Sequence, residues 1–152
     1  MAPLSQARDG IGWKEINYAI ARIMQDYCST YKSDLTLQAG LRLLEELRTT
    51  ELADAYACNP HELGRLLECH SLISVGKLVM QASLQRKASS RYLDFYRLDY
   101  PELDPPDWAR LLPIKQQGGK VEVRELSLNH ELEPPYTSDY EANYLAHCGS
   151  LT

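Results

Sequence analysis

Asn59-Pro60-His61-Glu62, followed by Leu63, Leu66, Leu67, His70, Ile73, Lys77, Met80 and Leu84 at steps of mostly three and four, decides the fold of this chain. Asn59 can accept a hydrogen bond from a free backbone N–H of a first helical turn. Pro60 at the first helical position loses nothing by lacking its own N–H, and Glu62 can reach back to the cap. No proline interrupts the run, so the spacing predicts a helix to about Ser90, roughly 30 residues and on the order of 45 Å long.

Two helices are expected upstream. Trp13, Ile16, Ile20, Ile23, Met24, Tyr27 and Tyr31 mark one face of a helix over about 13–31, with Gly12 and Glu15 as its start and Lys32-Ser33 as its stop. Leu37, Leu41, Leu44, Leu47 and Leu52 mark a second, from Ser33 or Asp34 to about Ala57, with Arg42, Glu45, Glu46 and Arg48 toward water. Short connections make such helices antiparallel neighbours. The expected fold is therefore mainly α: a lead-in over 1–11, then an antiparallel three-helix bundle over 12–91.

Past Arg91 the chain changes character. Pro101, Pro105, Pro106 and Pro113 fall within thirteen residues, and each fixes its own φ and biases its predecessor toward extended geometry. Residues 92–152 are expected to form an extended tail packed on the bundle or on a partner domain. Leu111 to Lys115 and Lys120 to Glu125 flank Gln-Gln-Gly-Gly and predict a β-hairpin. Ser138 to Glu141 resembles a capping box opening a short helix with Tyr140 and Tyr144. So long a tail with so little structure of its own needs a surface to lie on.

Composition excludes several classes. The chain has 152 residues, enough for one modest domain and a tail but not for a nucleotide domain with a substrate domain. A net charge of -5 argues against nucleic acid or an anionic membrane as partner. No segment has the order of a signal peptide and no apolar run approaches membrane-spanning length. Cys28, Cys58, Cys69 and Cys148 are scattered, so reduced thiols in the cytoplasm are expected. Ten Tyr and two Trp against one Phe fit an interface and fit core-edge packing equally well.

The motifs of chemistry are thin. A flavin or nicotinamide site needs a Gly-rich turn between strand and helix, and none is present. Cys58, His61, Cys69, His70 and Cys148 lack the paired spacing of a zinc or iron–sulfur site, so no metal is expected. No nucleophile elbow appears, and Ser89 and Ser90 are better read as capping a helix end. The informative polar cluster is Arg91, Asp94, Arg97 and Asp99, alternating in sign. It suits an ion-pair lattice that locks the tail to the bundle, or else a domain contact.

Ser89-Ser90-Arg91, then Arg97-Leu98-Asp99-Tyr100-Pro101, then Trp108, resembles the junction that follows the last helix of the C-terminal bundle in flavoproteins of the succinate dehydrogenase and fumarate reductase family. The family pattern runs Glu-Ser-Arg-Gly-x-His, Arg-x-Asp-aromatic-Pro, then Trp. Leu132, Pro134, Pro135 and Tyr136 resemble its closing segment, and the likeness extends from about Gly12. The segments 82–95, 97–108 and 20–28 look most like the adenylylsulfate reductase alpha-subunit branch. Here Ser89 stands for the acid, Tyr92 for the Gly, one extra residue precedes Arg97, and the His is missing.

The resemblance implies an FAD-dependent oxidoreductase parent whose flavin and substrate residues lie in domains this chain lacks. No catalytic, cofactor or metal residue is carried over. Arg91, Arg97, Asp99 and Trp108 are the candidates for a domain interface. The expected function is a C-terminal support and interaction domain, its partner a flavin-binding domain of the same or a companion chain, with an iron–sulfur electron-transfer subunit as a further partner. The alternative is a stand-alone helical protein-binding module without redox function; catalysis by the isolated chain is the third and weakest reading.

Overall fold

A computed structural model describes residues 10–118, 120–128, 135–137 and 139–147. The chain divides into two compact units, the first ending at Pro105 and the second beginning at Pro106.

The first unit is the bundle. Helix α1 spans Trp13–Tyr27, α2 Asp34–Thr49 and α3 Pro60–Gln85. Each packs on both of the others, and Ile16, Ile20, Leu37, Leu44, Leu47, Leu66, Cys69, Ile73 and Met80 form the buried core. Asn59 caps α3 as expected, its side chain accepting from the Glu62 backbone N–H at 3.0 Å, while Glu62 reaches one residue past the cap and accepts from the Cys58 N–H at 2.7 Å. Ser33 and Thr36 close a reciprocal capping box on α2.

All three helices stop short of the expected ends. After α2 and α3, apolar residues continue past the terminus and are still buried, but on irregular backbone. Leu52, Ala55 and Ala57 fill the core from the α2–α3 connection, and Ala88 does so after α3. After α1, Tyr31–Lys32 forms a short strand, β1, paired in parallel with β2, Tyr96–Arg97.

Most of the expected stripe of α3 faces the core: Leu66, Ile73 and Met80 are buried, and Leu63 and Leu84 pack against it. Leu66, Cys69, Ile73, Gly76, Met80 and Ser83 point inward, whereas Leu67 is exposed. Small residues decide this. A Cβ on Gly76 would lie 3.0 Å from the Met24 sulfur, and one on Gly40 would lie 2.6 Å from the Met80 methyl and 2.8 Å from Tyr27 Cβ. The bundle is closest where side chains are smallest.

Residues 92–105 belong to the first unit. Ser90 and Phe95 exchange backbone hydrogen bonds of 2.7 and 3.0 Å across a tight turn closed by Asp94 at φ 47°. Asp104, also left-handed at φ 49°, accepts from the Ser90 hydroxyl at 2.5 Å and the Arg91 N–H at 3.2 Å. Asp tolerates this backbone because its short side chain bonds locally.

The second unit holds a 3₁₀ turn at Pro106–Trp108 and the short antiparallel pair β3, Arg110–Leu111, with β6, Leu126–Ser127. The expected hairpin is present as β4, Ile114–Gln117, with β5, Lys120–Val123; its turn contains Gly118 at φ 58°. Helix α4 spans Tyr140–His147. Asp139 caps it, accepting from the Ala142 N–H at 3.2 Å. Ser138, the expected cap, and the segment from Leu132 to Pro134 lie outside the described residues.

Candidate functional site

Arg97 is the centre of the site. Its side chain has no exposed surface, and all five of its N–H donors find acceptors. The Nε donates to Asp99 at 3.0 Å and one Nη to the second Asp99 oxygen at 2.9 Å, a two-pronged pair. That same nitrogen also reaches Asp34. The other Nη donates to the carbonyls of Ser83 at 2.5 Å and Arg86 at 2.7 Å.

Those partners are the loose ends of two helices. The carbonyls of Ser83 and Arg86 belong to the last turn and cap of α3, where carbonyls lack intrahelical donors and a positive charge is favoured. Asp34 opens α2, and its free N–H is taken by Asp99 at 2.8 Å. Arg97 thus caps the end of one helix while Asp99 caps the start of another. Burial works to raise the Asp99 pKa, but the Arg97 fork and the Asp34 N–H outweigh it, so the carboxyl sits below its ordinary value.

The strand geometry sorts side chains by face. Lys32 and Arg97, paired in register, both point inward and are buried. Burial lowers the Lys32 pKa. Its ammonium lies 4.2 Å from the ring centre of Phe95, the only phenylalanine in the chain. Burial raises the thiol pKa of neighbouring Cys28. On the outer face Tyr31 and Tyr96 stack with ring centres 5.0 Å apart, and Leu98, two residues beyond Tyr96, is exposed. At the tip of the adjoining turn Tyr92 is 89% exposed and Leu93 is 64% exposed. An aromatic and aliphatic surface therefore sits over the ionic lock, flanked in the adjoining turn by the exposed Arg91 and Asp94.

Of the residues singled out from sequence, Arg97 and Asp99 come together. Arg91 lies in the exposed turn beside Tyr92, tied through its backbone to Asp104. Asp94 lies in the same turn, with the Thr30 hydroxyl 3.5 Å away. Trp108 belongs to the second unit, where the Arg110 guanidinium lies 5.1 Å over its ring. Ser89 and Ser90 do not cap α3. They lie beyond it, buried; Ser89 accepts from the Arg97 N–H at 2.8 Å and donates to the Tyr100 carbonyl at 2.7 Å. Sequence reading missed Asp34, Lys32, Phe95 and the Tyr31–Tyr96 stack. A signal for Asp34 existed, since an acid directly after a Ser cap marks a helix start.

Among the described residues no cluster of three or more His, Cys, Asp or Glu is placed to hold a metal, and no helix is long and apolar enough to cross a membrane.

No curated protein matches the sequence. Solved structures do. The chain is similar to Sdh1 of Mycobacterium smegmatis, solved in complex with UQ1, at 20% identity and a TM-score of 0.71, covering 84% of this chain and 22% of that one. It is similar to adenylylsulfate reductase of Archaeoglobus fulgidus at 24% identity and a TM-score of 0.71, covering 81% and 21%. Quinol fumarate reductase FrdA of E. coli matches at 19% identity and a TM-score of 0.62, covering 90% and 25%. The chain thus spans about a fifth to a quarter of these proteins, and the likeness is one of fold. Residues 17–140, most of the chain and both halves of the Arg97 lock, match the family described as fumarate reductase flavoprotein C-term, and the chain belongs to that family.

Proposed function

We propose that this chain is the support and interaction part of an FAD-dependent oxidoreductase flavoprotein of the adenylylsulfate reductase or fumarate reductase and succinate dehydrogenase type, working in the cytoplasm with its thiols reduced. The flavin and the reacting groups belong to a larger body, in the same or a companion chain. This part braces that body and helps seat an iron–sulfur electron-transfer subunit. No residue here is assigned to catalysis or to holding FAD.

The observation that carries the reading is the two-faced β1–β2 ribbon. Its inner face spends Arg97 and Lys32 on fixing the bundle end, and its outer face presents Tyr31 and Leu98 to water, with the half-buried Tyr96 stacked on Tyr31. Aromatic side chains on a rigid base are what a contact surface uses, because little conformational entropy is lost on docking. A closed, self-sufficient binding module would not leave this surface bare. Family membership supports the identity of the partner.

The test is co-purification of the full chain with the flavin-bearing chain encoded in the same genome. Association is expected, and Tyr31→Ala with Tyr96→Ala should weaken it by about tenfold or more, as for aromatic contacts in an interface centre. Absence of association with the wild-type chain, or binding indifferent to both substitutions, would refute the proposal.

A further inference from the structure

Lys32 and Arg97 are partners in register on the inner face of the β1–β2 ribbon, yet their charges are satisfied very differently. Arg97 places its donors on two carboxylates and two carbonyls. Lys32 is only 6% exposed, and among the described residues its ammonium has no acceptor within hydrogen-bond distance. It rests on the ring of Phe95, 4.2 Å from the centre. An ammonium has three donors, and an aromatic face replaces only part of what water gave them. Buried charges are ordinarily paired, so this one lacks a counter-charge.

The groups around the ammonium show where it lies. Burial disfavours its charge and the Arg97 guanidinium adds to that, while the Cys28 thiol and the Asp94 carboxylate act the other way. Burial pushes the Cys28 thiol up, so it carries no charge near neutral pH. The carboxylates of Asp34 and Asp99 are committed to Arg97. That leaves Asp94, exposed in the turn that carries Tyr92 and Leu93, with the Thr30 hydroxyl 3.5 Å away and no bond to Lys32. The ammonium therefore sits at the root of this turn, where the partly exposed Phe95 joins the lock to the outer surface.

We infer that the body docking on the ribbon carries an acidic side chain, Asp or Glu, which enters beside Phe95 and pairs with the Lys32 ammonium. This rests on the docking role proposed above for the ribbon. A body that covers Tyr31, Tyr96 and the turn removes the water Lys32 still meets. An ammonium stripped of water with no acceptor is strongly unfavourable, so the covering surface has to bring one.

A carboxylate fits better than a neutral carbonyl, because the charge here is uncompensated and bonds between two ionised groups are the strong ones. The two halves of the contact then have separate tasks. Tyr31, Tyr96 and Leu98 supply area. Lys32 supplies register, since a surface that places anything but an acid against it is penalised.

Lys32→Met tests this through two readouts that part company. In the free chain it replaces an uncompensated buried charge by an apolar side chain of similar length, so urea unfolding should find it at least as stable as wild type. Its affinity for the flavin-bearing chain encoded in the same genome, measured by calorimetry, should fall about thirtyfold or more, because the partner carboxylate loses its cation. Lys32→Gln should lose affinity alike and stands in if the Met variant does not fold. Asp94→Asn, which removes only an exposed charge, should stay within about fivefold of wild type. Binding that Tyr31→Ala with Tyr96→Ala weakens but Lys32→Met leaves unchanged would overturn the pairing and keep the ribbon's docking role. A free Lys32→Met chain clearly less stable than wild type, or Asp94→Asn reproducing the loss of affinity, would also overturn it, since the counter-charge would then lie within the chain. A wild-type chain that does not associate at all would end both readings.

Discussion

Replacing Arg97 tests whether the ionic lock holds the bundle end. In Arg97→Ala the carboxylates of Asp34 and Asp99 and the carbonyls of Ser83 and Arg86 lose their donors together. Removing one member of a buried pair destabilises by about 3–5 kcal/mol. The side chains of Asp34 and Asp99 keep 46% and 29% of their exposure, so water recovers part of that loss and the lower figure of about 3 kcal/mol is expected. For a unit of this size that is a fall in Tm of roughly 12–24 °C. Arg97→Lys keeps the charge but offers three donors and no planar fork, so about 1–2 kcal/mol should be lost. Urea unfolding followed by helical circular dichroism measures both. If Arg97→Ala stays within about 0.5 kcal/mol of wild type, the lock is ornamental and the argument from it fails.

Gly40→Ala should destabilise by about 1–3 kcal/mol, because Tyr27 Cβ at 2.8 Å cannot swing aside and overpacking outweighs the helix propensity gained. Gly76→Ala meets only the flexible ends of Met24 and Leu44, at 3.0 and 3.2 Å, and should stay within about 1 kcal/mol in the same denaturation assay. Hydrogen bonds from Arg48 and Lys77 hold the Glu45 carboxyl at about 2 against an ordinary 4.5, and Asp99 is lowered in the same sense. A depressed carboxyl stabilises above its unfolded value, and that stability drains as pH falls through the folded value. Thermal stability should therefore decline from about pH 5 toward pH 2, less steeply in Glu45→Gln. Asn59→Ala removes the acceptor of the Glu62 N–H and should cost about 1 kcal/mol on heating.

What could be foreseen in the sequence was whatever is decided locally. Asn59-Pro60, the Leu steps of α2 and the alternation of Val121-Glu122-Val123 act over a few residues, and helix, cap and hairpin follow from them. Helix ends were overrun because Leu52, Ala57 and Ala88 are apolar for the sake of the core and not of the helix. Arg97 was legible as a charge in a motif, but its acceptor Asp34 stands 63 residues away, and only the parallel pairing of β1 with β2 brings the two together. On α3 the expected stripe is largely the observed one: Leu66, Ile73 and Met80 are buried, and Leu63 and Leu84 pack on the core. Leu67 is the member that faces water, because the inward line also runs through Cys69, Gly76 and Ser83, where small residues let α1 and α2 come close. A stripe read from large apolar residues passes over small positions, and those positions set how near the helices approach.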